Sequence, residues 1–146
     1  MGQLRTSQPG RILAPQIFAR PGEPMPRMIL EEARIHPAVR DAISASQRDI
    51  VEEVSKAVDQ HDIVVVGMAQ NPSPKKARKL LDDAGLVYTY LEYGSYFNTW
   101  RRRNALKLWT GWPTFPMIFI RRQFIGGADD LEKLLASGEL KTLLGR

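Results

Sequence analysis

The chain has 146 residues, 43% of them apolar, enough to bury one core without covalent staples. It contains no cysteine and two histidines, His36 and His61, which excludes disulfides, thiolate zinc sites and iron–sulfur ligation by its own thiols. The net charge of +5 arises after His61, where thirteen Lys and Arg face eight Asp and Glu, against eight and eight up to that point. No apolar run approaches the roughly 18 residues of a membrane span, and residues 1–22 lack the apolar core of a secretory signal. A cytoplasmic protein without a membrane partner is the expectation.

Residues 1–26, rich in Pro, Gly, Gln and Arg, read as a flexible tail. Residues 27–60 read as a helical extension. In it Val39, Ile43, Ile50, Val54 and Val58 form an apolar stripe at helical spacing, widened by Val51 and Ala57. His36-Pro37 suits a helix start, with His36 in a capping or surface role. One long or two short helices are expected, packed on the rest of the chain or on a second copy. Residues 61–146 then form a domain of alternating strands and helices.

That domain opens with a continuous run at 63–68, β-branched from Ile63 to Val66, consistent with a strand buried on both faces. A helix beginning at Asn71 carries Ala77, Leu80, Leu81 and Ala84 inward and ends at Gly85, suited to a left-handed cap. A second strand is expected at 87–92. A helix over 97–109 has Phe97, Trp100, Ala105 and Leu108 as its apolar side and Arg101, Arg102 and Arg103 as its basic side. Residues 117–121 and 123–125 read as a hairpin broken by Gly126-Gly127. A last helix over 129–137, with Leu131, Leu134 and Leu135 inward, ends at Gly138, and Leu140, Leu143 and Leu144 continue the apolar pattern.

Three motifs stand in this order: Asn71-Pro72-Ser73-Pro74 with Lys75-Lys76-Ala77, then Trp112-Pro113-Thr114-Phe115-Pro116, then Gly126-Gly127-Ala128-Asp129-Asp130. Taken with the order of elements, they resemble the glutaredoxins. The resemblance implies a thioredoxin-like fold: three α/β/α layers around a mixed four-stranded sheet, with the helical segment added in front. It sets Asn71 and Pro74 at the family's two cysteine positions, where neither can form a thiolate. Read on its own, Asn71 is a favoured N-cap and Pro72 a favoured first helical residue. Ser73 has no base beside it in sequence to make it a nucleophile. No catalytic residue and no metal ligand is therefore assigned.

The resemblance further implies a glutathione groove. Thr114, Phe115 and Pro116 match its cis-proline loop, with Phe115 pairing by backbone to the cysteinyl part. Gly127, Ala128 and Asp129 match the segment that holds the γ-glutamyl end, Asp129 taking the ammonium. Arg103 matches an arginine that takes the glycine carboxylate, while Met68 stands where the family carries a lysine. Three functions compete on this reading. One is a cysteine-less binding module holding glutathione, a thiol peptide, an anionic metabolite or an acidic protein partner. Another is the family's glutathione-linked oxidoreductase or iron–sulfur role, which needs a thiolate. The last is a nucleic-acid or ribosome contact through the basic clusters Lys75, Lys76, Arg78, Lys79 and Arg101, Arg102, Arg103, Lys107, for which no nucleic-acid motif is present.

Overall fold

Two short helices precede the first strand, α1 (Pro37–Ala45) and α2 (Arg48–Gln60). They are separate because Gln47 lies in the left-handed region at φ 51°, which no α-helix tolerates in its interior. The structure is a computed structural model, and it describes residues 22, 25–94 and 100–145. The expected tail therefore falls almost wholly outside the described residues, as does Phe97. The chain divides into two compact units, Met1–Arg40 and Asp41–Arg146. The described residues of the first include a 3-10 turn at Glu32–Arg34 and the opening turn of α1, where His36 Nδ1 accepts from the Ala38 N–H at 3.2 Å. His36 is thus a cap, as its place before Pro37 suggests.

The second unit holds a sheet of β1 (Ile63–Gly67), β2 (Thr89–Glu92), β3 (Met117–Ile120) and β4 (Gln123–Gly126) in the order β2-β1-β3-β4. β2 runs parallel to β1; β3 runs antiparallel to both β1 and β4. A parallel neighbour needs a crossover, supplied by α3 (Pro72–Asp83). α4 (Trp100–Thr110) follows β2, and α5 (Ala128–Ser137) and α6 (Glu139–Leu143) follow β4. This order and topology are those expected of the thioredoxin-like fold, three α/β/α layers around a mixed four-stranded sheet, with helical residues preceding β1.

Strand alternation sorts the core into two halves. Val64, Val66, Met117 and Phe119 face one side, where Ile50, Val54 and Val58 of α2 and Leu106 of α4 cover them. Ile63, Val65, Ile118 and Ile120 face the other, under Ala77 and Leu81 of α3, Leu131 of α5 and Leu140 of α6. All five β1 residues are buried, as the β-branched run of Ile63 to Val66 predicts. The α2 half of the apolar stripe thus has its partner. Val39 and Ile43 do not share it: they stay 51% and 56% exposed.

The face of α4 differs from the expected one. Trp100 and Leu108 are exposed, whereas Arg103 and Leu106 are buried. An arginine can take an inward position when an acceptor meets it, and the Tyr93 carbonyl does so at 3.2 Å. Val87 is also 91% exposed, so the second strand begins only at Thr89. Gly85 and Gly138 are left-handed at φ 69° and 80°, ending α3 and α5 as read from sequence. The hairpin turn is Arg121-Arg122, both residues at positive φ (51° and 69°), a geometry usually given to Asn-Gly. Among the described residues no helix is long and apolar enough to cross a membrane.

Candidate functional site

The start of α3 is built by its own first residues. Asn71 is extended and its Oδ1 accepts from the Ser73 N–H at 3.0 Å, while Pro72 occupies the first turn, where an N–H would have no intrahelical partner. Ahead of it, Gln70 sits at φ 64°, turning the chain from β1 into the helix. Pro74 points inward and is buried. It packs so closely on β1 that a Cβ added to Gly67 would lie 2.9 Å from the Pro74 Cβ and 2.8 Å from the Tyr90 hydroxyl. Tyr90 Oη donates to Glu92 at 3.1 Å, and its pKa is pushed up to about 12, by burial first and the Glu92 carboxylate second.

The loop before β3 contains a cis Phe115-Pro116 bond, with Phe115 and Pro116 buried and Thr114 exposed. Its other end is fixed by Thr110, whose hydroxyl donates to the Leu106 carbonyl at 2.9 Å and accepts from the Trp112 N–H at 3.1 Å. Trp112 packs edge-on against Phe124 of β4, with ring centroids 5.5 Å apart. Gly127, just before α5, faces this loop. A Cβ there would lie 3.6 Å from the Pro116 carbonyl oxygen and 3.8 Å from Trp112 Nε1. The Gly127 N–H donates to the Asp130 carboxylate at 2.9 Å.

Asp129 then reaches across to α3. Lys76 Nζ lies 2.9 Å from Asp129 Oδ1 and 2.8 Å from Glu132 Oε2. These bonds hold the Asp129 carboxyl below its usual range and raise the Lys76 ammonium, Glu132 acting first on the lysine. Two of the three motifs thus meet directly, Gly127 lying against the Pro116 carbonyl, and Lys76 of α3 ties the third to them through Asp129. Arg103 is bound inward to the Tyr93 carbonyl and is 6% exposed. A different cation meets the loop: Lys107, whose ammonium is 5.8 Å from the Phe115 ring centroid. An open cleft of about 570 Å³ runs beside it, lined by Asn104, Lys107, Leu108, Gly111, Trp112 and Pro113. Sequence reading places Lys76 and Lys107 only in the two basic clusters and gives neither a part in the groove. Lys107 could have been found four residues after Arg103 on the same helix, but the pairing of Lys76 with Asp129 spans the domain and leaves no local trace.

The glutaredoxin family model matches residues 63–125, which takes in β1, the tetrad and the cis-proline loop. A glutaredoxin-like protein of Dictyostelium discoideum is 41% identical over 102 residues, 70% of this chain and 83% of that protein. The chain belongs to the glutaredoxin family. Glutaredoxin-C4 of Arabidopsis thaliana is 32% identical over 107 residues, covering 73% of this chain and 77% of its own. Among solved structures, oxidized glutaredoxin 2 of Chlamydomonas reinhardtii superposes with a TM-score of 0.59 at 29% identity, over 68% of this chain and 94% of the other. A buckwheat glutaredoxin–glutathione complex has the same TM-score and coverage of 68% and 91%, at 23% identity. This glutaredoxin has no cysteine in its sequence and so lacks the active-site thiols. Among its described residues no group of His, Asp and Glu could hold a metal.

Proposed function

We propose that this glutaredoxin is a non-catalytic binding module that holds glutathione, or the end of a thiol peptide, in the groove between the α3 start, the cis-proline loop and the α5 start. The observation that carries the reading is that the α5 start touches both the cis-proline loop, through Gly127, and α3, through Asp129 and Lys76, in a chain that holds no thiol. The likeness to the buckwheat protein, which was solved with glutathione, supports the choice of ligand. In the proposed mode the edge of Phe115 pairs with the cysteinyl residue of the ligand. The first-turn N–H groups of α5 take the γ-glutamyl carboxylate. Arg103 keeps the Tyr93 carbonyl and positions α4, and Lys107 meets the glycine carboxylate in its place.

Asn71 and Pro74 cannot carry a mixed disulfide, so the ligand's sulfur stays a free thiol and leaves as it came. The test is paired. Reduction of a mixed disulfide by the protein with glutathione and its reductase is expected to stay at the protein-free rate, while calorimetry registers glutathione binding. Turnover above that background would overturn the non-catalytic reading, and absence of binding at millimolar glutathione would overturn the groove. Asn71→Cys is expected to bring back part of the reduction. Its thiol sits at a helix N-terminus, where the dipole lowers a thiol pKa.

A further inference from the structure

We infer that the α5 end of this groove selects a ligand that ends in a carboxylate without a free α-ammonium group, because the Lys76 ammonium already stands on Asp129 where a ligand's ammonium would go. The inference rests on the groove reading above and sharpens it to a ligand class. Lys76 leaves α3 and reaches α5 with two short contacts, 2.9 Å to Asp129 and 2.8 Å to Glu132. Two of the three ammonium protons are thereby used, and the one acidic side chain in the matched segment is neutralised from within the chain. An incoming ammonium must displace Lys76 or share its acceptors.

What the corner still offers is donors. The first N–H groups of a helix have no intrahelical partner. The Gly127 N–H just ahead of them is already given to Asp130 at 2.9 Å, and those of Ala128 and Asp129, in the first turn at the positive end of the helix dipole, have no intrahelical partner. With the third proton of Lys76 they form a set that recognises a carboxylate and gains little from an ammonium beside it. A peptide with a glutaryl or similar dicarboxylic end, or with a blocked α-amine, fits that set better than a zwitterionic γ-glutamyl end.

The experiment is calorimetry on the full chain with two probes, glutathione and its des-amino counterpart glutaryl-cysteinyl-glycine. The parent, Lys76→Met and Lys76→Arg are compared, with thermal melts to confirm folding. Methionine keeps the aliphatic stem and removes the charge; arginine keeps the charge. The parent and Lys76→Arg are expected to bind the des-amino peptide at least as tightly as glutathione. Lys76→Met is expected to shift preference towards glutathione by roughly threefold, the scale of an exposed ion pair. A parent that already prefers glutathione by that factor, or a Lys76→Met variant with unchanged preference, overturns the inference and leaves the groove standing. Absence of binding by either probe to any variant rejects the groove reading and this inference with it.

Discussion

Asn71 ends a strand-to-helix turn and caps α3 through its own side chain, a task that a cysteine at this position would perform poorly. Replacing it with alanine is expected to cost about 1 kcal/mol in urea denaturation, and with serine far less. On the proposed reading Arg103 and Lys107, four residues apart on α4, have different tasks, one holding the Tyr93 carbonyl and the other the ligand. Arg103→Met leaves the buried Tyr93 carbonyl without this donor and is expected to cost about 2 kcal/mol. Lys107→Ala should change stability by no more than about 0.5 kcal/mol while weakening glutathione binding. Tyr90 makes stability fall at high pH. Below its ordinary value of 10.0 the phenol is neutral in both states; from there to about 12 the unfolded chain loses the proton first. Denaturation curves between pH 10 and pH 12 should show this decline, and Tyr90→Phe should lessen it, the rest coming from Tyr93, whose phenol pKa is also raised by burial.

At the scale of elements, α2 belongs to the core. Ile50 and Val54 are fully buried beside β1 and β3, so Ile50→Ala is expected to cost about 3 kcal/mol. A chain begun at His61 should lose cooperative unfolding, whereas one begun at Asp41 should keep it; calorimetric melts distinguish the two. Much of this architecture was legible from residues alone. Asn71, Gly85 and Gly138 mark helix ends by their local chemistry, and the β-branched run of β1 has a spacing that admits one environment. α4 was not, because its side chains break the rule that apolar residues turn inward: Arg103 is buried on a carbonyl while Leu108 stands 84% exposed. The Arg121-Arg122 turn carries none of the usual turn residues and is held instead from outside, by an Arg121 N–H bond to the Asp62 carbonyl and a guanidinium bond to the Leu144 carbonyl, each 2.8 Å. In the candidate site, the cis-proline dipeptide and the Gly127 approach are written in contiguous motifs. The contact between Lys76 and Asp129 joins side chains 53 residues apart, and only the folded chain brings them together.

For the whole molecule, the family's scaffold is retained while its nucleophile is absent, and the groove is read as a place where a thiol ligand is held and released unchanged. Diffuse attraction by the net charge of +5 is the competing account. It would act over many lysines and arginines and would fade with salt, whereas groove binding should touch few residues and persist. The most direct test is a titration of the isotope-labelled chain with glutathione, followed through its backbone amide NMR signals at low and high salt. Saturable shifts centred on Thr114, Phe115, Ala128 and Asp129, little altered by salt and reversed by dilution, are the predicted result. No shifts at millimolar glutathione, or shifts spread over the basic faces of α3 and α4 that vanish with salt, would contradict the account.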